Sequence, residues 1–298
     1  MKALLLDGKE VSARLKEKVT VQVTRLKSSG ITPRLVVILV GDDPASAVYV
    51  RNKARTSEKL GIQSETITLK ATISEKELLA CISKLNRDDT VHGILVQLPL
   101  PQHINSEKII EAILPDKDVD CFHPRNVGLL MLGKPYLLPC TPAGIVEILK
   151  YYKIETSGKH VVILGRSNIV GKPMANMLVQ KSAHANATVT VVHSRTKNIK
   201  ALCLQADILI AAIGKAAFVT ADMVREDAVV IDVGINRVEA PDTPRGYKIV
   251  GDVDFIPVSG KAAAITPVPG GVGPMTIAML MQNTVTAAKH LTNFIEHG

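Results

Sequence analysis

The stretch Val161-Val162-Ile163-Leu164-Gly165-Arg166-Ser167-Asn168-Ile169-Val170-Gly171-Lys172-Pro173 decides how the rest of the chain is read. Four apolar residues make a buried strand, a glycine turn follows at once, and Met174, Ala175, Met177 and Leu178 begin a helix pattern. A strand that ends in a glycine turn and feeds a helix is how doubly wound folds hold a dinucleotide pyrophosphate, because bare backbone N–H groups at the helix start meet the anion. The usual fingerprint is G-x-G-x-x-G. Here its three positions hold Gly165, Ser167 and Val170, with Gly171 displaced by one. With two of three places departing, the stretch alone fits an ordinary strand-to-helix turn as well as a dinucleotide site.

Working outward, the second half of the chain repeats the unit. Strands are predicted over 161–164, 187–192, 207–212 and 228–233, with a helix over 172–181. Each strand ends in a small or polar residue, which is where open parallel sheets place ligands. The first half alternates in the same way: a helix over 9–29, a buried strand at 35–40, a helix from Asp43-Pro44 to about 60, a strand over 62–69, and a helix opened by the capping box Ser74-x-x-Glu77. A further strand over 91–98 closes at Pro99-Leu100-Pro101, and three β–α units in a row predict a parallel sheet. Residues 102–140 read as loop-rich with one short helix near 106–113, and the domain boundary falls near 140–150. From Ile265 to Pro274 the prolines and glycines argue against regular structure and leave a backbone that can approach a ligand closely; Pro274 then opens a last amphipathic helix, about 275–295.

Composition narrows the function classes. At 298 residues the chain has room for one large domain or two medium ones, and with 46% hydrophobic but only 3% aromatic residues its core is aliphatic, as α/β layers are. The net charge of +8 is spread through amphipathic segments with no long basic run, which favours solvated helix faces or an anionic small ligand over nucleic acid. Cys81, Cys121, Cys140 and Cys203 lie far apart without a C-x-x-C, so zinc spacing is missing and free thiols in a reducing compartment are expected. Asp116-x-Asp118-x-Asp120 resembles the start of a calcium loop but carries Cys121 where glycine belongs and Val127 where glutamate belongs. No metal is predicted. The apolar run at the N-terminus is too short for a signal peptide, and no segment has the length of a membrane span, so a soluble cytoplasmic protein is expected.

Several polar residues stand at the predicted strand ends. Tyr49 and Lys53 lie one helical turn apart after the strand 35–40, either as a solvated pair or as a flat platform beside a usable amine. Gln97, in an otherwise apolar strand, needs a partner, and either the backbone or Lys53 would serve. His193-Ser194-Arg195 falls where classical NAD folds carry an acid for the ribose hydroxyls. With no acid there, Arg166 and Arg195 are either two solvated arginines or a site for the 2′-phosphate of NADP.

Taken in order, Tyr49-Val-Arg-Asn-Lys53, Val96-Gln97-Leu98-Pro99-Leu100-Pro101, Pro115-Asp-Lys-Asp-Val-Asp120, Pro139-Cys-Thr-Pro142, Gly165-Arg-Ser-Asn-Ile-Val-Gly-Lys-Pro173 and Thr266-Pro-Val-Pro-Gly-Gly-Val-Gly-Pro-Met-Thr276 closely resemble the bifunctional methylenetetrahydrofolate dehydrogenase/methenyltetrahydrofolate cyclohydrolase family over essentially the whole chain. The resemblance implies an α/β protein of two domains with a cleft between them. One is an N-terminal parallel-sheet domain that binds folate, residues 1–141 plus a C-terminal helix 275–298. The other is a Rossmann-like NADP-binding domain, residues 142–274. It implies NADP-dependent oxidation of 5,10-methylenetetrahydrofolate and hydrolysis of the methenyl product to 10-formyltetrahydrofolate, in a homodimer. Lys53 matches the catalytic lysine, Gln97 the glutamine that tunes it, and Tyr49 the tyrosine that stacks on folate. Val96, Leu98, Asp120, Pro267, Pro269, Gly270 and Gly271 match the rest of the substrate side, with Asp120 on the pterin. Gly165, Arg166, Ser167, Ser194, Arg195 and Ile235 match the cofactor side. Cys121 departs from the family's usual glycine; if that position needs a positive φ, it adds strain of ~1–2 kcal/mol. Two other functions remain open: the same fold with dehydrogenase activity alone, and a non-enzymatic nucleotide- or nucleic-acid-binding module, which the lack of a basic cluster disfavours.

Overall fold

The computed structural model describes residues 3–243 and 246–294. In chain order the elements are β1 (Leu4–Leu5), α1 (Gly8–Ser28), β2 (Arg34–Val40), α2 (Pro44–Lys59), β3 (Gln63–Leu69), α3 (Glu75–Asn86), β4 (Gly93–Val96), α4 (Ser106–Ala112), α5 (Pro124–Met131), α6 (Cys140–Tyr151), β5 (His160–Leu164), α7 (Gly171–Leu178), β6 (Thr188–Val192), α8 (Ile199–Cys203), β7 (Ile208–Ala211), β8 (Val229–Asp232), β9 (Asn236–Glu239), β10 (Tyr247–Val250), α9 (Phe255–Ser259), β11 (Ala264–Ile265) and α10 (Val272–Leu291). The chain divides into two compact units, Arg14–Cys140 with Ile277–Gly298, and Met1–Ala13 with Thr141–Thr276. Among the described residues no helix is long and apolar enough to cross a membrane.

In the unit built on Arg14–Cys140, β2 is a run of buried aliphatics because both its faces are covered. It lies between β3 and β4 in a parallel sheet of order β3-β2-β4. Val36, Ile38 and Val40 pack with Leu78, Ile82 and Leu85 of α3 and with Ile94 and Val96 of β4. The chain leaves β2 for β3 on one side and returns to β4 on the other, so the C-terminal ends of β2 and β4 flank a switch point, where open sheets leave a crevice. Local signals match the elements they open: the Asp43 carboxylate caps α2 at the Ser46 N–H (2.7 Å), and Ser74 and Glu77 form the reciprocal capping box of α3. Ile277–Leu291 joins this unit through polar contacts as well as apolar ones: Asn283 donates to the carbonyls of Val119 (2.8 Å) and Leu138 (2.7 Å).

In the other unit six parallel strands run in the order β1-β11-β8-β7-β5-β6. β5 is the first strand laid down after α6. The chain adds β6 on one side and then β7, β8 and β11 on the other, so the switch point lies at the end of β5, where Gly165 begins the turn quoted above. The core is aliphatic, centred on Val162, Leu164, Leu209, Val230 and Ile265.

Three expectations are corrected, and one element is added. Residues 1–13 belong with Thr141–Thr276 rather than with the first unit, because Leu4 and Leu5 pair with Ala264 and Ile265 at the edge of the larger sheet. The segment 102–140 carries a second helix, α5, capped by His123 Nδ1 on the Arg125 N–H (3.0 Å) with Pro124 in its first turn. Ile265–Pro274 is regular at both ends: Ile265 closes β11 and α10 starts at Val272, with Pro274 tolerated in a first turn where no N–H is needed. The antiparallel hairpin β9–β10 was not anticipated; the Arg237 guanidinium lies 3.7 Å from the centre of the Tyr247 ring. The expected end of the last helix at 295–298 lies outside the described residues.

Two buried charges hold the turn that follows α4. The Lys117 ammonium, buried beneath the 3₁₀ turn Pro115–Lys117, donates to the carbonyls of Leu85 (3.2 Å), Asn86 (2.9 Å) and Asp88 (2.8 Å), at and just beyond the C-terminal end of α3, where the Leu85 and Asp88 carbonyls also accept from the N–H groups of Asp88 (3.3 Å) and Val91 (3.0 Å). Asp118 accepts from the His123 N–H (2.8 Å) and the Asn126 amide (3.0 Å), and burial pushes its carboxyl up to about 6. Lys117→Met removes three charge-assisted hydrogen bonds to these carbonyls and is expected to cost about 2–3 kcal/mol in urea unfolding. A carboxyl whose folded pKa is raised binds its proton more tightly in the folded state, so its contribution favours folding below pH ~4 and is lost as pH rises to about 6. The melting temperature of Asp118→Asn relative to wild type should therefore fall as the pH is lowered from about 6.5 to about 4, and should stay flat above that window.

Candidate functional site

Lys53 sits on α2 and is almost fully buried, yet no carboxylate lies within ion-pair distance among the described bridges. Its ammonium donates to Gln97 Oε1 at 3.0 Å. Gln97 is held at both ends: its backbone N–H donates to the Ile38 carbonyl (2.9 Å), extending the β2–β4 ladder by one residue, and its Nε2 donates to the Leu98 carbonyl (2.7 Å). That second bond assigns the carboxamide orientation, leaving the oxygen for Lys53. Of the two partners considered for Gln97, the structure uses both. The Lys53 carbonyl in turn accepts from the Ser57 hydroxyl (3.0 Å), which also reaches the Met281 sulfur (3.2 Å).

Tyr49 lies one turn before Lys53 and remains 39% exposed, with its ring surface available to a flat ligand; burial of its hydroxyl raises the phenol pKa. Val96 is the buried last residue of β4, and Leu98 is half-buried. Asp120 is half-buried and its carboxyl is raised by burial, against the pull of the Lys53 charge and of a hydrogen bond from the Cys140 thiol. Lys53, Gln97 and Asp120 thus share one neighbourhood within this unit. The other two acids of the run have partners of their own: the Asp116 carbonyl accepts from the Tyr136 hydroxyl, and the Asp118 carboxylate accepts from the His123 N–H and the Asn126 amide. Cys121 adopts φ 63°, the left-handed region that glycine occupies freely, and its thiol donates to the Leu137 carbonyl (3.3 Å). The residue therefore carries the backbone strain anticipated for it, beside Asp120.

The remaining positions lie in the unit that holds Thr141–Thr276. Gly165 has φ 132°, and a Cβ there would stand 2.1 Å from the Ala212 carbonyl oxygen, so only glycine lets the β5 turn cross the end of β7. The Ser167 hydroxyl, at the second glycine position of the usual fingerprint, accepts from the Val170 N–H (3.1 Å) and closes the turn. Beside it, the Gly165 N–H donates to Val192 at the end of β6 (2.8 Å), and His193–Thr196 folds into a turn by the His193 N–H to Thr196 Oγ1 (2.9 Å). Arg166, Ser194 and Arg195 are exposed at these two adjacent strand ends, and Ile235, 50% exposed, follows β8. Pro267 to Gly271 is closed by the Gly271 N–H to the Pro267 carbonyl (2.8 Å), with Pro269 exposed and both glycines buried.

Sequence reading missed three sets of supporting residues. Asn283 fixes the carbonyl of Val119, next to Asp120, from a helix 164 positions away. The Cys140 thiol bonds the Val119 carbonyl (3.4 Å). Asp232 and Asp252 are buried at the ends of β8 and β10.

Two family models match the chain in order: Tetrahydrofolate dehydrogenase/cyclohydrolase, catalytic domain, over residues 6–120, and Tetrahydrofolate dehydrogenase/cyclohydrolase, NAD(P)-binding domain, over residues 139–292. The Bifunctional protein FolD of Chloroherpeton thalassium is 58% identical over 290 residues, 96% of this chain and 99% of that protein. The crystal structure of the bifunctional enzyme FolD, methylenetetrahydrofolate dehydrogenase/cyclohydrolase, from Campylobacter jejuni has a TM-score of 0.91 at 54% identity, covering 97% of this chain and 99% of its own. The Trypanosoma brucei methylenetetrahydrofolate dehydrogenase-cyclohydrolase (FolD), solved with NADP cofactor and inhibitor, has a TM-score of 0.92 at 38% identity over 97% of this chain and 98% of that one. With both domain models matched and near-complete coverage at such identity, the chain belongs to the tetrahydrofolate dehydrogenase/cyclohydrolase family.

Proposed function

We propose that this chain oxidises 5,10-methylenetetrahydrofolate to the 5,10-methenyl form with NADP and hydrolyses that product to 10-formyltetrahydrofolate. The observation that carries the reading is the buried Lys53 ammonium held by a carboxamide, Gln97 Oε1 at 3.0 Å, with no carboxylate bridging it among the described residues. A carboxamide orients an amine without neutralising it, so in its amine form Lys53 can take a proton from the water that attacks the methenyl carbon and deliver one to the ring nitrogen whose bond to that carbon breaks. Tyr49 supplies the stacking face, and Asp120, with its carboxyl raised by burial, offers hydrogen bonds to the N–H-rich pterin ring.

The cofactor side fits a dinucleotide. The Gly165 turn leaves no room for a side chain, Arg166 and Arg195 stand exposed at adjacent strand ends, and the turn His193-Ser194-Arg195 carries no acid to repel a 2′-phosphate. Gly165, Arg166, Ser167, Ser194, Arg195 and Ile235 would hold NADP, which supplies a hydride acceptor. Oxidation needs no protein acid, since the substrate nitrogen's lone pair stabilises the iminium; the residues' task is to hold two flat rings. Pro267, Pro269, Gly270 and Gly271 are assigned to substrate binding by the family resemblance, which also implies a cytoplasmic homodimer.

Lys53→Met should lower the rate of methenyl-folate hydrolysis by at least about 100-fold, the scale of a lost general acid–base group, with the melting temperature retained; hydrolysis at the wild-type rate would sink the role given to Lys53. Turnover on methylene-folate, followed by absorbance, should be faster with NADP than with NAD at equal concentration. Replacing Arg166 and Arg195 together by alanine should raise the KM for NADP at least about tenfold, as loss of charge-assisted hydrogen bonds does, and leave that for NAD nearly unchanged.

A further inference from the structure

Asp232 and Asp252 are 3% and 0% exposed, and no arginine or lysine bridges either among the described ion pairs. Their charge is met by N–H groups instead. Asp252 accepts from the backbone of Ile213 (2.7 Å), Gly214 (2.8 Å) and Lys215 (2.9 Å) and from the side chain of Asn236 (2.8 Å). Asp232 accepts from the backbone of Gly234 (2.9 Å), Asp252 (2.9 Å) and Val253 (3.0 Å). The packing admits nothing larger than glycine beside them: a Cβ on Gly251 would stand 1.8 Å from Asp232 Oδ2, and one on Gly234 2.2 Å from Asp252 Oδ1.

What the pair grips is the C-terminal edge of the large sheet. Residues 213–215 leave the end of β7, directly after the Ala212 carbonyl against which Gly165 rests. Ile235 stands between Gly234 and Asn236, one bonded to Asp232 and the other to Asp252. Burying an uncompensated carboxylate is costly, and a core that only had to fill space would use an aliphatic residue here. Seven N–H donors converging on two carboxylates fix the path of two loops at once, which an aliphatic side chain cannot do.

We infer that Asp252, braced by Asp232, is a positioning residue for the dinucleotide: through Asn236 and residues 213–215 it sets Ile235 and the β7 loop where the nicotinamide cofactor lies. The inference rests on the cofactor reading above and adds to it residues that do not touch the ligand.

The test compares Asn236→Ala, which removes one donor from a half-buried side chain, with Asp252→Asn, which turns an amide N–H₂ toward donors. NADP affinity is measured by calorimetry, together with the KM for methylene-folate and the rate of methenyl-folate hydrolysis without NADP. A positioning role predicts that NADP binding weakens about fivefold in Asn236→Ala and about tenfold or more in Asp252→Asn, the scale of one and of several lost charge-assisted bonds, while the folate KM and the hydrolysis rate stay within about twofold. If Asp252→Asn does not fold, Asn236→Ala carries the test. Wild-type NADP affinity in a folded Asn236→Ala overturns the inference, as does a parallel loss of folate binding and hydrolysis, which marks a purely architectural role. Wild-type protein that binds no NADP would overturn the cofactor assignment itself, a result distinguishable from wild-type binding that the variants fail to alter.

Discussion

A buried ammonium must be hydrogen-bonded, and at Lys53 the acceptor is a neutral carboxamide that is itself locked by the chain. Much of the smaller sheet's arrangement can be understood from that bond. Gln97 can hold its oxygen toward Lys53 only because its amide nitrogen is occupied by the Leu98 carbonyl and its backbone continues the ladder from β4 to Ile38. The ladder depends on β2 and β4 being neighbours, which depends on the reversal of strand order at β2. An acid in place of Gln97 would pair with the ammonium and hold its proton; an aliphatic residue would leave it without an acceptor.

The larger sheet solves the converse problem of buried anions. Asp232 and Asp252 have no cation within bridging distance among the described pairs and are satisfied by backbone N–H groups at the strand ends. Burial raises the Asp232 carboxyl to about 6, with the neighbouring Asp252 charge adding to the effect. Both units therefore place a buried charge at the C-terminal edge of a parallel sheet and compensate it with dipoles in fixed positions. Dipoles held in place by the fold need little reorganisation when a ligand arrives, which is the property a binding edge requires.

Cys121 shows how a local departure is absorbed. Its left-handed φ carries strain that a glycine would not, yet the thiol is buried and bonded to the Leu137 carbonyl, and Asn283 and Cys140 hold the adjoining Val119 carbonyl. The conformation is over-determined by its surroundings.

Most of the architecture was legible in the sequence because it rests on short-range physics. Aliphatic runs bounded by glycine specified β2, β5, β7 and β8; Asp43-Pro44 and Ser74-x-x-Glu77 specified helix starts; and the ordered motifs singled out Lys53, Gln97, Tyr49 and Asp120. Tertiary structure alone decided the rest. Two residues, Leu4 and Leu5, become a strand only because Ala264 and Ile265 offer an edge, and no periodicity can appear in so short a run. Asn283, between Gln282 and Thr284, and Asp252, two residues before Asp254, carry no local mark of a role until folding brings distant carbonyls and N–H groups to them. Local pattern encodes which elements form, since strand and helix repeats are properties of neighbouring residues; which buried polar group meets which partner is a long-range property, and it exists only once the chain has closed on itself.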